Sequence, residues 1–151
     1  MSVQRTLILL KPDCVQRGLV AEALSRFERK GLRIVGLKLL TPSQDIAGKH
    51  YAEHAQRPFF PSLIAFITSS PLVALALEGD SAITVARTII GATDGRTAAP
   101  GTIRGDFGLS KGNNLVHGSD SPEAAERELA LWFPEGLVSY RRADTTWVET
   151  P

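Results

Sequence analysis

One cysteine in 151 residues, Cys14, leaves no partner for an internal disulfide, and a chain of that kind suits a reducing compartment. An excess of charge of either sign is missing as well, since seventeen Lys and Arg stand against sixteen Asp and Glu, a net charge of +1. Composition therefore makes no electrostatic case for nucleic acid or an anionic membrane, and a phosphate ligand needs positive charge gathered locally. Long hydrophobic runs are absent: nothing approaches the ~20 apolar residues of a membrane span. At the start only Leu7-Ile8-Leu9-Leu10 is apolar, too short for the core of a secretory signal. No glycine cluster has a standard dinucleotide or triphosphate spacing. Gly31 and Gly36 are separated as in a Walker loop, but Leu37-Lys38 follows where Lys-Ser or Lys-Thr is required, and Gly105, Gly108 and Gly112 fit neither Walker nor Rossmann spacing. Repeats, low-complexity segments and linkers are also lacking. The expectation is one domain over residues 1–151, cytoplasmic, with no membrane and no nucleic acid required.

What is present reads as alternating strands and helices. Thr6 to Lys11 is a continuous apolar run stopped by Pro12, as in a buried strand. Leu19, Val20, Ala23, Leu24 and Phe27 form a helical stripe closed by Lys30 and Gly31. Arg33 to Leu40 is a second strand, ended by Thr41-Pro42. Ser43 to Ala55 reads as a helix weakened by Gly48, Pro58 and Pro61 bracket a turn, and Ser62 to Thr68 fits helix or strand equally. Leu72 to Leu77 is a strand, and Asp80 or Ser81 caps a helix running to Ile90 and Gly91. From Ala92 to about Gly112 no period is visible, and a loop of that length inside a compact domain is usually functional or covers a partner surface. A short apolar strand ending on His117 follows, then a helix with Ser121 as N-cap, Pro122 at its first position, and Ala125, Leu129, Trp132 and Phe133 facing inward. This order predicts an α+β layer with helices on one face of a small sheet.

His117 is the residue on which chemistry centres. An unperturbed imidazole titrates near neutrality, so at pH 7 much of it is neutral and able to act as base or nucleophile. A lone strand histidine is more often a satisfied core residue, but here the surroundings differ. Ser119 shares its face of an extended strand. On the next helix the ~100° per residue turn sets Glu128 beside Ala125, Leu129 and Trp132, while Glu123, Glu126 and Arg127 point outward. A carboxylate on that inward edge needs a partner, and the histidine is available. Arg87, four residues after Ile83 and three before Ile90, shares their face; it is either paired structurally or aimed into a cleft. Taken singly, Lys11 and Arg104 read as solvated surface charge.

The run Asn114-Leu115-Val116-His117-Gly118-Ser119-Asp120 resembles the active-site signature of the nucleoside diphosphate kinase family. Lys11-Pro12-Asp13 with Val15-Gln16-Arg17-Gly18, His50-Tyr51-Ala52-Glu53-His54, Arg57-Pro58-Phe59-Phe60 and Pro100-Gly101-Thr102-Ile103-Arg104-Gly105-Asp106-Phe107 resemble further family blocks, in family order, over about residues 3 to 148. The resemblance implies a ferredoxin-like four-stranded antiparallel sheet with helices packed on it, a helical insert and a long glycine-rich loop. It implies that His117 takes the γ-phosphoryl of a nucleoside triphosphate and gives it to a nucleoside diphosphate in a ping-pong reaction, with Glu128 and Ser119 supporting the histidine and Tyr51 close to it. Arg87, Thr93 and Arg104 match positions that hold phosphates, and His54 a weaker phosphate contact. Lys11 and Asn114 match positions at the ribose and the reacting end, and Phe59 the aromatic on which the base stacks. Stacking tolerates any base, so broad specificity is expected. Mg²⁺ would arrive on the nucleotide. Family members are homo-oligomers, and the tail through Trp147 favours a hexamer over a tetramer.

Departures from the family pattern are Cys14 where a small residue is usual, Asp94-Gly95 for Asn-Pro, Asn113 for arginine, and Lys111 for an apolar residue near the base. Lys111 is expected to shift base preference or affinity, and Asp94-Gly95 to loosen its end of the loop. Two other readings compete. His50-Tyr51-Ala52-Glu53-His54 fits an inverted zinc-hydrolase pattern, which needs a third protein ligand the sequence does not supply. Alternatively the long loop serves a non-catalytic interaction module.

Overall fold

A computed structural model describes residues 2–150. β1 (Val3–Leu10), β2 (Arg33–Leu40), β3 (Leu72–Asp80) and β4 (Val116–Gly118) make one antiparallel sheet in the order β2-β3-β1-β4. The central pair runs unbroken from Val3 opposite Asp80 to Leu10 opposite Val73. β4 pairs with the end of β1, which puts Leu9 opposite His117. The helices are α1 (Pro12–Gln16), α2 (Val20–Lys30), α3 (Gln44–His50), α4 (Phe60–Ile67), α5 (Ala82–Ile90), α6 (Ile103–Phe107), α7 (Pro122–Trp132) and α8 (Thr145–Val148). Their arrangement on the sheet is the ferredoxin-like α+β fold, with α3 and α4 as the helical insert.

Helices cover both faces of the sheet, not one. Successive side chains of β1 alternate between the faces, and all four of Leu7, Ile8, Leu9 and Leu10 are fully buried. Ile8 and Leu10 join a core with Phe27, Ala86, Ile90 and Ile103 under α2, α5 and α6. Leu7 and Leu9 join a second core with Ala47, Ile64, Ile67 and Trp132 under α3, α4 and α7. Each such side chain contributes roughly 1.5–3 kcal/mol on burial, so β1 fastens both layers at once. The single-face expectation came from the order of elements alone; the continuous apolar run of β1 already implied cover on both faces, since a strand with one wet face alternates.

Several boundaries follow the sequence signals closely. Gly31 ends α2 with φ of 111°, a conformation that costs glycine little. Ser121 caps α7 by accepting from Ala124 N, with Pro122 at the first turn. Other signals misled. Pro61 lies within the first turn of α4, and that segment is helical. Neither Asp80 nor Ser81 caps α5 with its side chain; Gln4 Oε1, on β1, accepts from Ile83 N instead. α1, α6 and α8 are four or five residues long, too short for a period to show, although Thr102 caps α6 by accepting from Gly105 N. Asp94 binds both the backbone N and the guanidinium of Arg96, two residues on in the same loop. No helix among the described residues is long and apolar enough to cross a membrane.

Candidate active site

The chain reaches β4 through a tight reversal. Val116 N donates to Asn114 O at 2.8 Å, an i to i+2 turn that holds Leu115 at φ of 74°. Such a turn costs a branched residue of order 1–3 kcal/mol and persists only where its surroundings impose it. Here they do: Leu115 N donates to Asp13 Oδ2 at 3.0 Å, Leu115 O accepts from Lys11 N at 2.9 Å, and the leucine side chain is fully buried. Arg104 adds three bonds, donating to the carbonyls of Asn114, Gly91 and Val116. Immediately after the histidine, a Cβ on Gly118 would stand 2.7 Å from Ile90 Cδ1. Glycine there lets α5 close onto the strand.

His117 sits half-buried with Nε2 at 2.9 Å from Glu128 Oε1, and Ser119 Oγ donates to the same oxygen at 2.8 Å. Burial alone would raise the Glu128 carboxyl, but the hydrogen bond from His117, that histidine's charge and the Ser119 hydroxyl outweigh it and hold the group below its ordinary range. An ionised carboxylate only accepts. The neutral imidazole therefore carries its hydrogen on Nε2, and the lone pair lies on Nδ1. Ser119 is itself seated by Leu7 N, which donates to Oγ at 3.1 Å.

Behind this pair lies His50, the last residue of α3. Its Nδ1 accepts from Trp132 Nε1 at 3.1 Å, and its ring meets those of His117 and Tyr51 edge to face at 4.6 and 4.7 Å. The zinc pattern is broken at this point. α3 stops at His50, and His54 falls in a separate 3-10 turn, Ala52–His54, so the two histidines do not share a helical face. Nitrogens of His50 and His117 and a Glu128 oxygen do lie within 4.8 Å of one another. Yet the indole N–H occupies Nδ1 of His50, the neutral ring's hydrogen must sit on Nε2, and no lone pair is left for a metal.

In front of His117 opens a cleft of about 720 Å³ whose lining includes Lys11, Arg87, Arg104 and Lys111, while Glu53, Asp120, Glu123 and Glu128 line an adjoining cavity that shares Arg87 and His117 with it. Positive charge is thus concentrated where the whole chain has almost none. Lys11 and Arg104 are 8% and 9% exposed, so the expectation that they are solvated surface charges is wrong. Burial, with Arg104 nearby, brings the Lys11 ammonium down to about 8, and burial and Arg87 bring Arg104 to about 10; both remain mainly cationic at neutral pH. Lys11 Nζ is held by Asn114 Oδ1. Arg87 shares the face of α5 that meets β4, its Cγ and Ile90 Cδ1 both standing against Gly118, while its exposed head donates to Gly118 O at 3.1 Å. Of its two readings, the cleft is the one realised.

The cleft gathers Lys11, Tyr51, His54, Phe59, Arg87, Thr93, Arg104, Asn114 and His117 along one wall or another, and Lys111 stands at its rim. Glu128 and Ser119 stand behind the histidine. Arg104 departs from the simple expectation, since three of its five N–H groups are spent on backbone carbonyls. Sequence reasoning missed His50, Trp132 and Asp13 as parts of the site. His50 was visible only in the false zinc pattern and Trp132 only as a core position.

Burial, then the neighbouring His117, bring the His50 imidazole from 6.5 to about 3. In that window the unfolded chain binds a proton that the folded chain refuses. Stability is therefore fully present above pH 6.5 and is lost as the pH falls toward 3. The steepest contribution is ~1.4 kcal/mol per pH unit. Urea unfolding at several pH values between 6.5 and about 5, above the carboxylate range, checks this: His50→Phe should flatten the slope by up to one proton, and an unchanged slope contradicts it.

Known proteins resemble this chain over most of its length. A family model described as nucleoside diphosphate kinase matches residues 4–138. A nucleoside diphosphate kinase of Rhodococcus erythropolis is 64% identical over 132 residues, 87% of this chain and 95% of that protein. One from Archaeoglobus fulgidus is 53% identical over 97% of each. The structure of a halophilic nucleoside diphosphate kinase from Halobacterium salinarum in complex with CDP superposes with a TM-score of 0.94 at 47% identity, covering 97% of this chain and 99% of that one. With a matched family model over most of its length and relatives this similar, the chain belongs to the nucleoside diphosphate kinase family.

Proposed function

We infer that this chain is a nucleoside diphosphate kinase, an enzyme that moves phosphoryl groups between nucleotides, and that it does so through a phosphohistidine at His117. The observation that carries the reading is the Nε2 bond to an ionised Glu128, which leaves the Nδ1 lone pair of His117 as the nucleophile. In the first half-reaction that lone pair attacks the γ-phosphorus in line, and the bond to the β–γ bridging oxygen breaks. The nucleoside diphosphate leaves with that electron pair. The phosphorylated ring is cationic while it keeps Nε2–H, and Glu128, seated by Ser119, balances that charge. A second nucleoside diphosphate reverses the step, and the ring returns neutral with its proton in place.

A cleft lined by Lys11, Arg87, Arg104 and Lys111 suits a polyphosphate. We assign Arg87, Thr93 and the two free N–H groups of Arg104 to the phosphates, with His54 as a weaker contact. Lys11 and Asn114 belong at the ribose and reacting end, with Tyr51 beside the histidine. Phe59, 46% exposed, offers a stacking face that reads no base edge, which supports broad specificity. Mg²⁺ would arrive on the nucleotide phosphates, where it would neutralise charge on the transferring group. Incubation with γ-labelled ATP and Mg²⁺ tests the reading. Acid-labile label should appear on the protein, pass to GTP when GDP is added, and be absent from His117→Ala; no label on the folded wild type contradicts it.

We also propose a homo-oligomer, a hexamer before a tetramer. β2 is an edge strand whose Leu37 and Leu39 are 56% and 66% exposed, an apolar edge of the kind that pairs with another chain, and Trp147 stands almost wholly exposed on the tail. Sedimentation velocity should find the double variant Leu37→Lys, Leu39→Lys in a smaller assembly than the wild type, and an unchanged sedimentation coefficient contradicts this. A cytoplasmic setting suits Cys14, which is fully buried and pushed up to about 12 by burial and Asp13, a thiol that stays protonated.

A further inference from the structure

The reaction as described makes no use of His50 and Trp132, which stand behind His117. Trp132 donates to His50 Nδ1, which fixes His50 as the neutral Nε2–H ring. The groups facing it pull in opposite directions. The C-terminal end of α3 and Glu128 on α7 favour a cation, whereas burial, His117 on β4, Arg127 on α7 and Lys11 beyond β1 oppose one, and the ring stays neutral until about pH 3. His50 is therefore a fixed, uncharged wall through the whole range in which an enzyme of this kind works.

His117 needs a wall of that kind. Among the described residues its side chain makes one hydrogen bond, from Nε2 to Glu128. A single bond acts as a pivot, about which the ring can turn and carry the Nδ1 lone pair away from the line of attack. His50 meets it with ring centroids 4.6 Å apart and planes at 80°, so turning drives one ring into the other. We propose that His50 is a positioning residue for phosphoryl transfer, pinned by Trp132 and bracing the His117 imidazole so that Nδ1 faces the nucleotide cleft. This rests on the phosphohistidine reading above.

Two variants separate bracing from the bland alternative, that His50 only satisfies the buried indole. His50→Gln can still accept from Trp132 but offers no ring. His50→Phe combined with Trp132→Phe keeps a ring at position 50 and removes the orphaned N–H. Bracing predicts that His50→Gln forms phosphohistidine from labelled ATP about tenfold to a hundredfold more slowly in single turnover, with the ATP dissociation constant and KM unchanged and kcat lowered. The ring-bearing double variant should recover most of the rate. A wild-type rate in His50→Gln overturns the proposal. An unlabelled wild type overturns the phosphohistidine reading itself, and this inference falls with it. A further check needs no variant: histidine ¹⁵N spectra of the wild type at neutral pH should show His50 protonated on Nε2 alone, and a hydrogen on its Nδ1 overturns the proposal.

Discussion

The bond between Glu128 and His117 is the interaction on which the rest of the site depends. Neither partner is comfortable alone: a carboxylate buried that deeply would rise toward its neutral form, and a histidine without it would have no preferred tautomer. Together they settle both problems, because the imidazole N–H and the Ser119 hydroxyl keep the acid ionised and the acid keeps the imidazole hydrogen on Nε2. The consequence is an imidazole whose orientation and tautomer are set by the protein itself. Preorganisation of this kind avoids reordering at the moment of reaction.

Holding that bond in place requires an expensive local backbone. β4 is only three residues long, too short to define its own geometry, and it follows a turn that leucine adopts unwillingly at Leu115. Asp13, the Lys11 amide and Arg104 all bond to the turn or to the strand carbonyls, and β1 supplies the paired edge. The cations that face the cleft thus also frame the histidine. A substitution at Arg104 would disturb the strand as well as the charge, so it could not isolate either contribution.

Much of this was legible in the sequence, for identifiable reasons. The Glu128 position followed from helical spacing against Ala125 and Trp132, and the His117–Ser119 face from strand alternation, both regularities of the backbone itself. α2 and α7 announced themselves because Gly31, Ser121 and Pro122 act locally. What stayed hidden was non-local. The capping of α5 by Gln4 crosses 79 positions, and the burial of Lys11 and Arg104 depends on a loop folding over them. Arg87 kept the face that helical spacing gave it, but which of its two readings applied was decided by β4, whose Gly118 carbonyl takes its guanidinium at the mouth of the cleft. His50 was hidden most thoroughly, since its role comes from Trp132, 82 positions away, and the pattern around it pointed to a metal instead.

The central claim is that Glu128 holds the hydrogen on Nε2 of His117 and so makes Nδ1 the atom that is phosphorylated. The most direct measurement is phosphorus–nitrogen coupling in the NMR spectrum of the ¹⁵N-histidine-labelled phosphoenzyme. The account predicts coupling to Nδ1 of His117 with Nε2 still bearing its hydrogen. Phosphorus coupled to Nε2 would contradict it, because the Glu128 bond could not then survive the transfer.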